Sequence, residues 1–390
     1  NDASIRIRGI STYGSANPLI VIDGVEQPSE QAMAELNAMD ANEIQGISVL
    51  KDASSTAVYG IRGANGVIIV TTRRGQTGAP KVNLSMNYGF TSASSLQKGT
   101  SAYEYALMRN EAIRHDQRSF SGTESLSTYI YDDYDLWKFR NNRDYTPVEL
   151  DARGDLTAAQ KELLKNQPAL YYASRDLYKE MFDRVAPQMQ INLNVSGGTE
   201  RVKYFVSFGY FSQQGITTDI RYYDADTGSN FNRYNFRSNF DIQVAKNFKV
   251  SVNVAGQFGK SQGLGSGSDP YDLSSRYKGI MQYIYDANPF ISPGMIDGHL
   301  IEGFAGVAGT EQNPLANKTA STIGNQNAIV SLLRAGTNSI FNSLLDNTIK
   351  LEHTMDYLLE GLRVYGTVNY QDNYNRIVKY TPSIPTYTVQ

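Results

Sequence analysis

The chain has 390 residues carrying 36 basic and 39 acidic side chains, a net charge of −3, which argues against a general nucleic-acid binder. It has no cysteine, so disulfides, thiolate metal sites and cysteine nucleophiles are excluded, and its three histidines, His115, His299 and His353, are scattered with no HExxH. Twenty-seven tyrosines suit a boundary between water and lipid or sugar, while the absence of any run of 18 apolar residues gives no reason to expect a transmembrane helix.

The chain opens at Asn1 without a methionine or a signal peptide, so an upstream segment is expected. IRIRGI (5–10) alternates, PLIVIDGV (18–25) is an apolar strand broken by the turn pair Asp23-Gly24, and EQAMAELNAM (30–39) suits a short helix or turn. EIQGISVLKD (43–52) is a strand, and Asp52 stands where a helix N-cap would, ahead of Ala53 to Tyr59. Gly66 to Thr72 is a dense apolar strand. Together these form a small α+β module over residues 1–76, followed by a linker, RRGQTGAP (73–80).

From Lys81 the pattern becomes long alternation of period two. Val82, Leu84, Met86, Tyr88 and Phe90 alternate with polar residues or glycine, and the same holds over 189–196, 202–211, 233–244, 248–258, 345–352 and 362–371, with a further strand beginning at 375–380. Each strand has one apolar and one polar face, as in a half-exposed soluble sheet or a membrane barrel. The connections separate the two. GGTER (197–201), AKN (245–247) and DYLLEG (356–361) are short, whereas those at about 91–187, 213–230 and 259–338 are long. Strict alternation of short and long marks an outer-membrane barrel, with tight turns on one side and long extracellular loops on the other. Unstructured loops of this length are rare in compact soluble domains, which disfavours a β-sandwich.

The glycines Gly60, Gly63 and Gly66 raise the question of phosphate binding. A dinucleotide fingerprint needs strand, glycine turn, then helix, so that phosphate meets a helix N-terminus. Here the order is helix, glycines, strand, and the spacing is GxxGxxG, so the glycines are expected to permit left-handed or close-packed backbone. GKSQG (259–263) fits GxSxG, but GLGSGSDP follows it rather than a helix, and a mobile loop is expected. Asp224, Asp226 and Asn230 offer a partial set of oxygen ligands for calcium, set against a plain hairpin tip. No other cofactor is indicated. In the first long loop Tyr129, Tyr131, Tyr134, Trp137 and Phe139 lie among Asp132, Asp133 and Asp135, a composition suited to sugar, peptide or lid contact, or to a self-packed loop. Segments 101–114 and 156–165 look helical.

NPLIVIDGV (17–25), LKDASSTAVYGIRGANGVIIVTTRRG (50–75) and LNVSGGTERVKYFVSFGYFSQQGI (193–216) resemble the SusC/RagA-type TonB-dependent transporters of Bacteroidetes outer membranes. The resemblance implies an all-β transmembrane barrel of about 22 antiparallel strands with a small α+β plug domain inside it. Residues 1–76 would be the plug and 77–390 the first part of the barrel. It further implies a SusD-type surface lipoprotein as lid, TonB with its inner-membrane motor as the source of pull, and import of oligosaccharide or, in some members, oligopeptide. The family's plug signature maps onto Asp52, Tyr59, Gly60, Arg62, Gly63, Asn65 and Gly66, with roles in plug folding and gating rather than catalysis. The chain has no TonB-binding segment before Asn1 and stops at Gln390 after about eight strands, too few to enclose a plug; it is expected to be part of a longer protein. The rivals are a non-transporting surface receptor or adhesin, for which a plug signature has no use, and a glycan hydrolase, for which no carboxylate pair stands out.

Overall fold

The computed structural model describes residues 7, 17–27, 32, 36, 39–120, 131, 133–141, 147–154, 157–159, 161–162, 174–182, 185–265, 281–282, 284–285, 295–304 and 328–389. The N-terminal module is a four-stranded sheet. Its strands are β1 (Leu19–Ile22), β2 (Val25–Glu26), β3 (Ile44–Leu50) and β4 (Val67–Thr72), in the order β2-β1-β4-β3. β1 and β4 pair in parallel and are buried through the centre, which is why LIVI and VIIV read as continuous apolar runs rather than alternating ones. Ile20, Ile22, Ile68 and Val70 pack on one face, and Leu19, Val21 and Val67 on the other. Asp23-Gly24 closes the β1–β2 hairpin with positive φ at both residues, 50° and 88°. Of IRIRGI only Ile7 is described, and of 30–39 only Ala32, Leu36 and Met39, the first two helical.

The second sheet is a sequential antiparallel meander. Its strands are β5 (Gly78–Thr91), β6 (Ala186–Gly198), β7 (Val202–Gln214), β10 (Asn230–Ala245), β11 (Phe248–Leu264), β14 (Thr337–Thr354) and β15 (Arg363–Tyr380). Its polarity is reversed relative to a soluble sheet. Asn192, Asn194, Ser207, Asn235, Arg237, Asn239, Ser251 and Asn253 are buried, whereas Leu84, Met86, Phe90, Leu193, Val206, Phe208, Ile349, Leu351 and Val368 are exposed. The buried polar face lies against the first module, and the exposed face is apolar. A surface of that extent is what lipid, not water, covers.

Several strands are longer than their alternation indicates. β11 runs on to Leu264, so GKSQG lies inside a strand and is neither a mobile loop nor a nucleophile elbow. β15 continues to Tyr380 without a break, so 375–380 is the end of that strand and not the start of another. Glycine and polar residues masked both extensions, because strand pairing rather than composition holds them. The long connections also have structure of their own: helices Ala102–Phe120, Asp133–Asn141, Pro147–Ala152, Leu177–Met181 and Ala328–Ala335, the hairpin β8 (Arg221–Tyr222) and β9 (Ala225–Asp226), and a small sheet of β12 (Met295–Ile296), β13 (His299–Phe304) and β16 (Tyr387–Val389). Leu177, Met181, Phe182, Tyr222, Leu300, Leu332 and Leu333 share one apolar core. Among the described residues, parts of several connections therefore fold onto one another.

Val254 sits near the middle of the exposed apolar face, opposite Ser238 and Asn347. Val254→Arg is expected to destabilise the full-length protein in lipid vesicles by about 2–4 kcal/mol, and Val254→Ala much less. A urea titration read by the gel shift between boiled and unboiled samples checks this; equal midpoints would contradict it.

Candidate functional site

The region rich in buried polar chemistry is the contact between the first module and the inner face of the large sheet. It is built from a short 3-10 turn, Ala41–Glu43, that Asp40 caps by accepting from the Asn42 amide at 2.8 Å. The turn aims Glu43 at the wall. Arg237 donates through Nε to Glu43 at 2.9 Å and Ser207 donates through Oγ at 3.2 Å, with the two charged side chains only 8% and 4% exposed. Gln190 donates to Asp40 at 3.3 Å. At the end of β4, Asn239 donates to the Arg73 carbonyl at 2.8 Å and to the Thr72 hydroxyl at 3.0 Å. Arg74 then bridges Asp23 (3.4 Å) of the module and Asp241 (3.1 Å) of the wall. Gln371 on β15 donates to Gln27 at 3.2 Å. The module is thus tied to strands β6, β7, β10 and β15 by polar side chains, two of the ties being ion pairs of opposite sense: acid to wall base, then base to wall acid.

Farther along β7 and β10, toward the long connections, the inner face changes character. Phe211 and Phe231 approach to 6.0 Å between ring centroids, and the Arg233 guanidinium lies 5.5 Å from the Phe211 centroid. Sequence reasoning passed over all three. Their parity in VKYFVSFGYF and NFNRYNFR marks them as inward, but only once the outward register is known.

The glycine stretch has the conformation its order implies. Asp52 is extended (φ −85°, ψ 145°) at the N-cap of Ala53–Thr56, though its side chain makes no capping hydrogen bond. The chain then kinks at Gly60 (φ 57°, ψ −145°) within Ala57–Gly63. A Cβ on Gly63 would lie 2.8 Å from the Thr56 carbonyl oxygen, and Gly66 has φ 94° with Ile7 against it. Arg62 pairs with Glu26, Asn65 reaches the Asn17 carbonyl at 3.5 Å, and Tyr59 packs against Leu19, Val21 and Val67. These seven residues build the turn that delivers β4, and no helix N-terminus follows it to receive a phosphate.

Residues 1–67 match the family model of the TonB-dependent receptor plug domain. The chain is 30% identical over 255 residues to the TonB-dependent receptor P26 of Formosa agariphila, covering 64% of this chain and 20% of that protein. It is 27% identical over 331 residues to the TonB-dependent receptor SusC of Bacteroides thetaiotaomicron, covering 80% of this chain and 27% of that one. The chain is similar to TonB-dependent receptors of the SusC type, with a plug-type module at its N-terminus. A solved structure of the RagAB peptide transporter superposes with a TM-score of 0.59 at 20% identity, covering 96% of this chain and 36% of that chain; at that identity the likeness concerns the fold. The chain spans about a fifth to a quarter of the curated relatives it matches. An apolar outward face over a polar inner one, beside a plug-type module, is that of lipid-facing barrel wall, which places the protein in the outer membrane.

The other expected contacts fare differently. Tyr131 is buried, edge-on to Phe139 at 5.4 Å, and Asn110 clamps its backbone through two bonds of 2.7 Å. It belongs to a loop core with Ala102 and Ala106, the self-packed arrangement weighed beside cargo or lid contact for that loop. Trp137 is half-buried in Asp133–Asn141, the helix that also carries Tyr134, and Tyr129 lies outside the described residues. Asp224 is at the tip of the β8–β9 hairpin, Asp226 on its return strand and Asn230 at the start of β10. Asp226 accepts from the Gly228 amide at 2.7 Å and shares a hydrogen bond with Asp219, while Arg221 pairs with Asp219 at 3.0 Å. Among the described residues, no group of three His, Asp or Glu side chains is placed to hold a metal.

Two predictions follow from this geometry. Glu43→Ala leaves Arg237 buried without its acid and is expected to loosen the plug–wall contact by about 3–5 kcal/mol, while Glu43→Leu with Arg237→Met recovers most of the loss. Protease susceptibility of residues 40–50 in the full-length protein checks this, and additive single effects would contradict it. In the hairpin, burial and then the bond to Asp219 raise the Asp226 carboxyl, and that same bond first of all lowers Asp219. Asp226 therefore stabilises the hairpin below its unfolded value and ceases to as pH rises through its raised one; Asp219 does so above its unfolded value and ceases in acid. Amide protection at Ile220 and Thr227, corrected for intrinsic exchange, is expected to peak in mild acid, and Asp226→Asn to remove the fall on the alkaline side.

Proposed function

We propose that the protein containing this chain imports oligosaccharides across the outer membrane by TonB-dependent transport, without chemistry on the cargo, and that a SusD-type lipoprotein lids it from outside. Residues 1–76 act as the plug and 77–390 as the first part of the barrel wall, with the long connections outside the cell. The observation that carries this is the pairing of a plug-type module with the polar inner face of a sheet whose outer face is apolar. A plug held, among the described residues, by side-chain hydrogen bonds and two ion pairs and by no β-ladder to the wall can be displaced by force without unfolding the barrel. The turn through Gly60, Gly63 and Gly66, kinked at Gly60, is the part of the plug that would give first under a TonB pull.

Cargo is read from the inner wall. Amide side chains at Gln188, Gln213, Asn342 and Asn375 offer many weak donors and acceptors, and Phe211, Phe231 and Arg233 offer flat surfaces against which sugar rings stack. An oligopeptide is the second reading; it is favoured by the fold shared with the RagAB peptide transporter and by the same amide-rich wall. In uptake by whole cells, defined oligosaccharides are expected to enter only with both the transporter and TonB present, and Phe211→Ala with Phe231→Ala to slow entry about tenfold, the loss of one ring stack each. Entry of peptides alone would select the second reading, and entry independent of TonB would contradict both.

A further inference from the structure

The outward face of the large sheet can be followed row by row, because each pairing register is fixed. One row reads Tyr210, Tyr234, Phe258, Ser343 and Tyr374 across β7, β10, β11, β14 and β15. Tyr210 and Tyr234 are 5.0 Å apart between ring centroids. The row below, toward the short turns, is apolar except at its edge: Phe208, Phe236, Gly256, Leu345 and Asp372. The row above, toward the long connections, is different: Ser212, Asn232, Lys260, Phe341 and Arg376. An aromatic row between apolar and polar rows is what a bilayer boundary requires, since tyrosine places its ring in hydrocarbon and its hydroxyl at the headgroups.

Two cations lie just past that boundary. Lys260 and Arg376 stand one strand to either side of Phe341, about 10 Å apart by strand spacing. Both are exposed, and among the described residues neither makes an ion pair or a side-chain hydrogen bond. Phe341 between them stacks with Phe258 at 6.4 Å and meets Tyr374 at 6.5 Å, so the floor between the cations is a fixed aromatic surface. Asp372 shares the outward face of β15, but four residues nearer the middle, about 13 Å away along the strand. This contrasts with the inner face, where Arg237 and Arg74 each have an acid within 3.4 Å. Exposed cations at headgroup depth, beside an apolar floor that acyl chains can cover, complement one ligand chemistry: a phosphorylated lipid.

We propose that Lys260, Arg376 and Phe341 form an outward-facing site for the phosphate headgroup of an outer-leaflet lipid. The site rests on the proposed orientation, with the long connections outside the cell. There a phosphate is held between the ammonium and the guanidinium while acyl chains lie down Phe258 and Phe341. Each cation near an anionic surface contributes a modest, additive attraction, so the pair acts together. The contact would anchor β11, β14 and β15 at the level where the loop core begins at Leu264.

The test uses the full-length protein in detergent, titrated with diphosphoryl lipid A or with the same lipid after enzymatic dephosphorylation, and read by native mass spectrometry. The intact lipid is expected to bind with retention roughly 30-fold greater than the dephosphorylated one. Lys260→Gln with Arg376→Gln is expected to abolish that difference, and Lys260→Arg to preserve it. Equal retention of the two lipids by the unaltered protein, or full retention by the double variant, would overturn the site. Orientation is scored separately by an impermeant maleimide on intact cells, which is expected to label Asp224→Cys and not Leu358→Cys. The reverse labelling would overturn the orientation whatever the lipid result.

Discussion

The structure depends on a sheet that buries its polar side. In a soluble protein the cost of burying Asn192, Asn194, Asn239 and Asn253 while exposing Leu84, Phe208 and Val368 would be prohibitive. The arrangement is stable only if the polar face is satisfied by something polar and the apolar face meets hydrocarbon. The plug meets the first condition over part of that face, presenting Asp40, Glu43, the Arg73 carbonyl and Arg74 to it. The second is met by the outer membrane. Fold and location both descend from this inversion.

Plug attachment follows from it too. A polar wall cannot hold its plug by apolar packing, so it holds it by hydrogen bonds and paired charges. Such contacts are specific in position and costly to half-break, yet each is localised and can be broken in turn. The two ion pairs have opposite sense, so neither surface carries a large net field toward the other. The plug's own cohesion is of another kind: parallel β1 and β4 buried on both faces. A pulled plug would therefore part from the wall, or yield at its kinked turn, before its central strands separate.

Much of this was legible in the sequence because strand alternation and connection length carry it directly. Val82 to Phe90 and Phe248 to Val254 alternate without ambiguity, and the order helix, glycines, strand was enough to set phosphate binding aside. What stayed hidden had physical causes. The upper half of β11 is glycine and polar residues, GKSQG, which local propensity assigns to a loop and only pairing with β10 and β14 makes a strand. Tyr131 looked exposed because nothing local says that Phe139, Ala102 and Ala106 fold over it. The plug–wall contacts join residues more than 100 positions apart, such as Glu43 with Arg237, and a single sequence holds no trace of such pairs. Parity told inward from outward only relatively; the plug fixed which was which.

The most direct test of the inversion exploits the absence of cysteine from these 390 residues, any cysteine elsewhere in the protein being replaced by serine. Single cysteines at 250 to 255 along β11, spin-labelled in the full-length protein in lipid vesicles, report local access to oxygen, which partitions into hydrocarbon, and to a water-soluble nickel chelate. Oxygen access is expected to peak at 250, 252 and 254 and to fall at 251, 253 and 255. The opposite phase, or high chelate access on the even positions, would contradict the account.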